Sequence, residues 1–251
     1  MPSQLFATIP IEEWASAFML AIARFSLVIF MMPGIGEQVV SVPIRIAILI
    51  GLSLAVVSTG LVPAVSLLPL EGFVASLGFE LLFGLFIGAS LRGIIWVLNI
   101  VGAIVAQTVG LAQFLGVALQ TDAQTIVANL LTMTGAAALL TINFHVYVFS
   151  SLVEMYNEIP VARWSDINVE HLVEALFSAL SLAITLSWPF VVANLVYNIC
   201  LGFINKAMPQ LMVAFVGAPF MVGAGLFLLA TACTSLFFVW LDRAPQIFGL
   251  G

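Results

Sequence analysis

Charge is scarce in this sequence. Only 7% of its 251 residues are Asp, Glu, Lys or Arg, and lysine occurs once, at position 206. A water-soluble globule needs far more polar surface than this. With 63% hydrophobic residues and a mean hydropathy of +1.24, the chain reads as an integral membrane protein in contact with lipid. Twelve acids stand against six bases, scattered singly, so there is no basic stripe for nucleic acid and no polybasic membrane tether. Nucleic-acid binding is excluded on that ground. Cysteine is limited to Cys200 and Cys233, each within an apolar run and without metal-ligand spacing, so both are expected as buried small hydrophobes. The start, "MPSQLFATIPIEEW", has no Lys or Arg before its apolar stretch and no small-residue cleavage site, so a retained first span is expected. His145 and His171 have no second ligand at metal spacing, and nucleophile elbow, phosphate loop and carboxylate pair are all missing. The expectation is no metal, no cofactor and no catalysis; the chain reads as a non-enzyme.

What is abundant is long apolar sequence. A hydrocarbon core about 30 Å thick needs roughly 20 apolar residues in a helix. Six runs reach that length: Trp14 to Met32, Ile44 to Val62, Phe73 to Ala106, Ile126 to Val153, Leu172 to Ile204 and Leu211 to Leu241. The fold class is therefore all-α, with about six long hydrophobic helices. Gly84, Gly88, Gly93, Gly102, Pro189 and Gly223 to Gly225 interrupt the longest runs, which predicts kinked helices or helical hairpins. The connections are short, so no extramembrane domain is expected. Arg45 and Lys206 fall on one side of a six-span count, Arg163 and Arg243 on the other, a tie for the positive-inside rule. Most acids lie on the side that holds both termini, which assigns the near-neutral side, with "NKAMPQ", to the cytoplasm.

Arg24, Glu80 and Arg92 lie inside apolar runs, where an ionised residue costs about 2.5 to 3.5 kcal/mol unless paired or hydrated. Two readings stand: a proton or ion relay, and structural ion pairing between helices or subunits. Pairing is favoured, because a relay needs titratable groups in series and arginine holds its proton. Glu80, Gly84, Gly88 and Arg92 follow at four-residue steps, a small and polar stripe that reads as a helix-packing seam. Asn194, Asn198, Gly202 and Asn205 form a second stripe, and amides on one face favour a partner helix over local bonding.

Four stretches resemble the FliR family of flagellar export-gate proteins and its injectisome counterparts. They are "PGIGEQVVSVPIRIAI" at 33–48, "GLFIGASLRGIIWVLNIVGAIVAQTVGL" at 84–111, "NFHVYVFSSLVEMYNEIP" at 143–160 and "WPFVVANLVYNICLGFINKAMPQLMVAFVGAPF" at 188–220. In the last, Pro189, Asn198, Leu201, Gly202, Asn205, Lys206, Pro209, Gln210, Leu211, Gly217 and Pro219 sit at the family's spacing. One departure is Asp122, followed by Ala123 where the family commonly has proline.

The resemblance implies a subunit of the flagellar type III protein export gate. It would assemble with FliP-like and FliQ-like subunits, alongside FlhB-like and FlhA-like ones, in the bacterial inner membrane and the flagellar basal body, to pass unfolded proteins. It also implies a FliP-like portion over 1–170 and a FliQ-like hairpin over 171–251. Partner-interface candidates are Asn194, Asn198, Asn205, Lys206, Pro209 and Gln210. Pore-plug candidates are Gly110, Leu111, Phe114, Leu115 and Gly116, glycines that let a loop bend around apolar residues able to seal by dewetting. A packed re-entrant turn remains open for the same loop, and a solvated turn for the 205–210 tip. The alternatives in function are an injectisome gate subunit and a secondary transporter of a small solute. The transporter predicts an inverted repeat and a midplane site, and the sequence offers neither.

Overall fold

The computed structural model describes residues 11–62, 70–110, 123–159, 161, 169–207 and 213–249. Every regular element among them is a helix: α1 (Ile11–Met31), α2 (Val42–Ser58), α3 (Leu70–Thr108), α4 (Ala123–Thr141), α5 (Phe144–Glu158), α6 (Val169–Ala207) and α7 (Val213–Ile247). Local chemistry sets several of the ends. Glu12 and Glu13 lie in the first turn of α1, where carboxylates meet the positive end of the helix dipole. Pro43 sits in the first turn of α2, where its missing N–H costs nothing. Gly110, with φ +78°, ends α3 in the left-handed conformation that glycine adopts freely.

Among the described residues, four helices are long and apolar enough to cross a membrane: Ile11–Met31, Leu70–Thr108, Leu172–Ala207 and Pro219–Ile247. The pair Ile126–Thr141 and Phe144–Tyr156 makes a fifth if its two bent halves count as one span. This corrects the expected six. The second run folds as α2, whose 17 residues extend only about 26 Å, short of the hydrocarbon thickness. The fourth run breaks at Asn143, where φ is +57°, a conformation an asparagine tolerates better than other side chains. The glycines of the third run leave α3 continuous over 39 residues.

The chain divides into two compact units, one comprising residues 1–92 and 139–172, the other 93–138 and 173–251. In the first, α1 and α2 pack together, and α1 runs parallel to the first half of α3. A side chain built at Gly84 would strike the carbonyl oxygen of Arg24, and one at Gly88 would lie 2.9 Å from that of Leu27. Such backbone approach is what small residues permit between apolar helices. The chain then returns antiparallel to α1, from Leu140, packed against Gly34, to Ile159, beside Arg24.

In the second unit the rest of α3 packs antiparallel to α4, with Gly102 against the backbone of Ala128 and Gly135 between Leu98 and Trp240. Trp240 is fully buried and its Nε1 donates to the Ile94 carbonyl at 2.9 Å, satisfying the one polar atom of a large apolar side chain. Gly93 accommodates the Phe248 ring, and Gly225 accommodates Val109, so α7 runs antiparallel to α3. α6 and α7 form an antiparallel hairpin: Gly217 lies against Tyr197 and Leu201 near its tip, and Leu182 and Asp242 line one polar groove near its base.

Gly84→Ala is expected to destabilise the first unit by about 1 to 3 kcal/mol, because the new methyl has only backbone to displace. Gly78→Ala, where nothing lies within 4 Å, should be neutral or stabilising by up to about 1 kcal/mol. Thermal unfolding of the two variants in one detergent checks the contrast; equal midpoints would remove the close α1–α3 approach as a determinant.

Candidate functional site

Arg24 lies about 20 Å along α1 at 1.5 Å per residue. Its Nε donates to Glu80 Oε2, and its Nη2 donates to Glu80 Oε1 at 3.0 Å. Both side chains are fully buried. The fork-to-fork geometry joins α1 to α3 and fixes their relative height. Nη2 also donates to the Ile159 carbonyl at 3.2 Å, placing a cation at the C-terminal end of α5, where unsatisfied carbonyls favour one. The guanidinium lies 3.9 Å from the centre of the Tyr156 ring and 4.8 Å from that of Phe83, so ring faces replace part of its lost hydration. One arginine thus ties three helices together.

Arg92 bonds elsewhere, its Nη1 meeting Glu37 Oε1 at 2.6 Å in a partly exposed pair. Glu37 belongs to the α1–α2 connection, which Arg45 also shapes. Arg45 lies in the first turn of α2, an unfavourable place for a cation, and folds back to donate to the carbonyls of Val40 and Glu37. The Val40 carbonyl is satisfied in this way, and that of Glu37, which already accepts the Val40 N–H, takes a second hydrogen bond. Glu37 was not among the intramembrane candidates because it lies outside every apolar run; its signal was being the one acid in "PGIGEQVVSVP". Tyr156 and Trp240 gave no sequence signal beyond being aromatic.

Of the partner-interface candidates, Asn194, Asn198, Asn205 and Lys206 lie on the half of α6 that its own chain leaves open. From Val191 to Ala207 no residue is fully buried, and Asn198, Asn205 and Lys206 are exposed. Asn198 Nδ2 donates to both the carbonyl and the Oδ1 of Asn194, at 2.8 and 2.9 Å, so the two amides bond each other locally. Cys200, expected inside, is exposed on this same stretch, and Cys233 is half-buried. Pro209 and Gln210 lie outside the described residues. Of the plug candidates only Gly110 is described; Leu111, Phe114, Leu115 and Gly116 are not. Among the described residues no group of three or more His, Cys, Asp or Glu side chains comes together to hold a metal.

Removing one member of the buried pair leaves the other charge without its partner, so Arg24→Leu or Glu80→Leu is expected to cost about 3 to 5 kcal/mol. The double variant should recover most of that loss, since two apolar groups need no partner. Folded yield and thermal unfolding of the three proteins in detergent provide the cycle; a double variant as unstable as the sum of the singles would show that the two side chains act independently.

The profile of the family described as bacterial export proteins, family 1, matches residues 15–246. A flagellar biosynthetic protein FliR from Caulobacter vibrioides is 30% identical over 238 residues, 92% of this chain and 94% of the relative. The FliR of Aquifex aeolicus is 26% identical over 87% of this chain and 85% of its own length. That of Escherichia coli K12 is 24% identical over 87% and 84%. Matches of this length take in most of both compact units, and the chain belongs to the bacterial export proteins, family 1, the FliR family.

Proposed function

We propose that this chain is a structural subunit of the flagellar type III export gate, assembling in the bacterial inner membrane with FliP-like and FliQ-like subunits around a channel for unfolded flagellar proteins. Family membership makes it a membrane-embedded component of a flagellar export apparatus. The observation that carries the finer reading is how little of the α6–α7 hairpin its own chain covers. In the most apolar stretch of α6 33% of residues are buried and in that of α7 11%, against 56% in α3. Phe177, Trp188, Phe203, Phe220, Phe227 and Phe238 all project outward from it. Lipid accepts such surface, but the amides of Asn194, Asn198 and Asn205 favour protein neighbours. We assign 171–251 as the FliQ-like hairpin and 1–170 as the FliP-like portion, with FlhB-like and FlhA-like subunits alongside.

A water or protein neighbour also suits the first unit. Glu154 is exposed on α5, little more than a turn before Ile159, which sits beside Arg24. Hydrocarbon at that level of α1 would cost the carboxylate about 2.5 to 3.5 kcal/mol. For the segment after Gly110 we keep the role of a plug, Leu111, Phe114 and Leu115 closing the resting channel by dewetting.

Isolation of the tagged chain in mild detergent should bring down FliP-like and FliQ-like chains in constant proportion. A chain that purifies alone and takes up a small solute in vesicles would replace this reading with the transporter.

The tip of the hairpin is expected in the cytoplasm. With Cys200 and Cys233 changed to serine, Lys206→Cys should resist an impermeant thiol reagent in intact cells and react in inverted vesicles. Labelling in intact cells would reverse the orientation.

A further inference from the structure

Asn198 Nδ2 faces a backbone carbonyl as well as the Asn194 side chain, and a carbonyl can only accept. That identifies the atom as nitrogen and requires the Asn194 atom it meets to be oxygen. Both hydrogens of the Asn198 amide are therefore used within α6, along with one lone pair of Asn194 Oδ1. What remains is the Asn194 NH2 group as donor and Asn198 Oδ1 as acceptor, one helical turn apart on the same face. Among the described residues no further hydrogen bond reaches either amide, and Asn198 is exposed.

Gly202 continues this face by one more turn. A side chain built there would meet nothing within 4 Å, whereas at Gly217 it would strike Tyr197 and at Gly225 Val109. The last two glycines are explained by packing inside the chain; Gly202, like Gly78 and Gly223, is not, and it differs from those two in continuing the amide face. A small residue there leaves room for a neighbouring backbone to come close.

We infer that the Asn194–Asn198–Gly202 face seats an apolar helix of another export-apparatus subunit that presents a side-chain carboxamide, Asn or Gln, to the two open amide atoms. This rests on the gate reading above and adds the chemistry of the contact. A hydrocarbon tail offers neither donor nor acceptor, and a lipid ester carbonyl only accepts. A helical Ser or Thr hydroxyl uses its single hydrogen on its own backbone, as Thr185, Ser187, Thr231 and Ser235 do here. A neutral His or Tyr also carries a donor and an acceptor, but its ring would hold apart two backbones that Gly202 lets come close; of the compact uncharged side chains a carboxamide alone presents both outward from a helix.

The test leaves both asparagines in place. A photo-crosslinking amino acid is put at Leu195, on the edge of this face, or at Val196, on the opposite side of α6, and activated in intact cells before the adducts are sequenced. At Leu195 the expected adduct is an apolar segment of another subunit with Asn or Gln within one helical turn, and Val196 should not reach that segment. Asn194→Leu with Asn198→Leu should abolish the adduct and lower the partner subunit's yield about threefold to tenfold in mild detergent. Gly202→Leu, which keeps the amides and blocks close approach, should do the same, with the level of membrane-inserted chain measured in each case. Lipid-only adducts at Leu195, a partner segment without a carboxamide, a second copy of this chain, or an unchanged adduct in the leucine pair would each overturn the inference. A parent chain that brings down no export subunits would overturn the gate reading instead, and the two failures are read from separate measurements.

Discussion

The buried pairing of Arg24 with Glu80 is the constraint on which the first unit depends. In a chain this apolar, van der Waals packing attracts helices without aligning them, because one leucine-lined face fits another at many heights. A forked guanidinium and a carboxylate fit at one. Once Arg24 and Glu80 meet, Gly84 is brought against the backbone of α1 and Gly88 follows one turn later. The same guanidinium takes the carbonyl of Ile159, so the end of α5 is set by a charge on α1. A charged group that is expensive in hydrocarbon thus becomes a source of register, through hydrogen bonds and ring faces that replace water.

The second unit reaches order by different means. It has no counterpart to the buried ion pair among the described residues, and its alignment comes from glycines facing bulky partners. Gly93 receives the Phe248 ring, Gly135 receives Leu98 and Trp240, and Gly225 receives Val109. Each is a notch fitted by a projection, with Trp240 adding a hydrogen bond to Ile94. These contacts also explain why glycines in α3 do not break it. Where a helix is packed, the missing side chain is filled by a neighbour, and the entropic cost of glycine is offset by close approach.

The open half of the hairpin follows from the same logic. Beyond Phe190 on α6 no residue through Ala207 is fully buried, and the polar atoms there are paired within one helix only as far as local geometry allows. A family of bacterial export proteins that act in an assembly accommodates this arrangement, since surface left bare in one chain is available to the next.

The all-helical class, the membrane setting and the family were legible in the sequence, because composition, run length and residue spacing along 188–220 are local properties. So was the cost of Arg24, Glu80 and Arg92, since any charge in an apolar run needs an answer. Which charge answers which was not legible: Glu37 sits outside every apolar run, and only the return of the α1–α2 connection onto α3 brings it to Arg92. Nor was the span count, because an apolar run reports composition, whereas crossing depends on where the helix starts and bends. The sequence by itself determined that this chain forms helices and avoids water. Tertiary structure decided their alignment and what is left uncovered, because pairing of distant charges and notches depends on the distances between helices, and no local pattern encodes those.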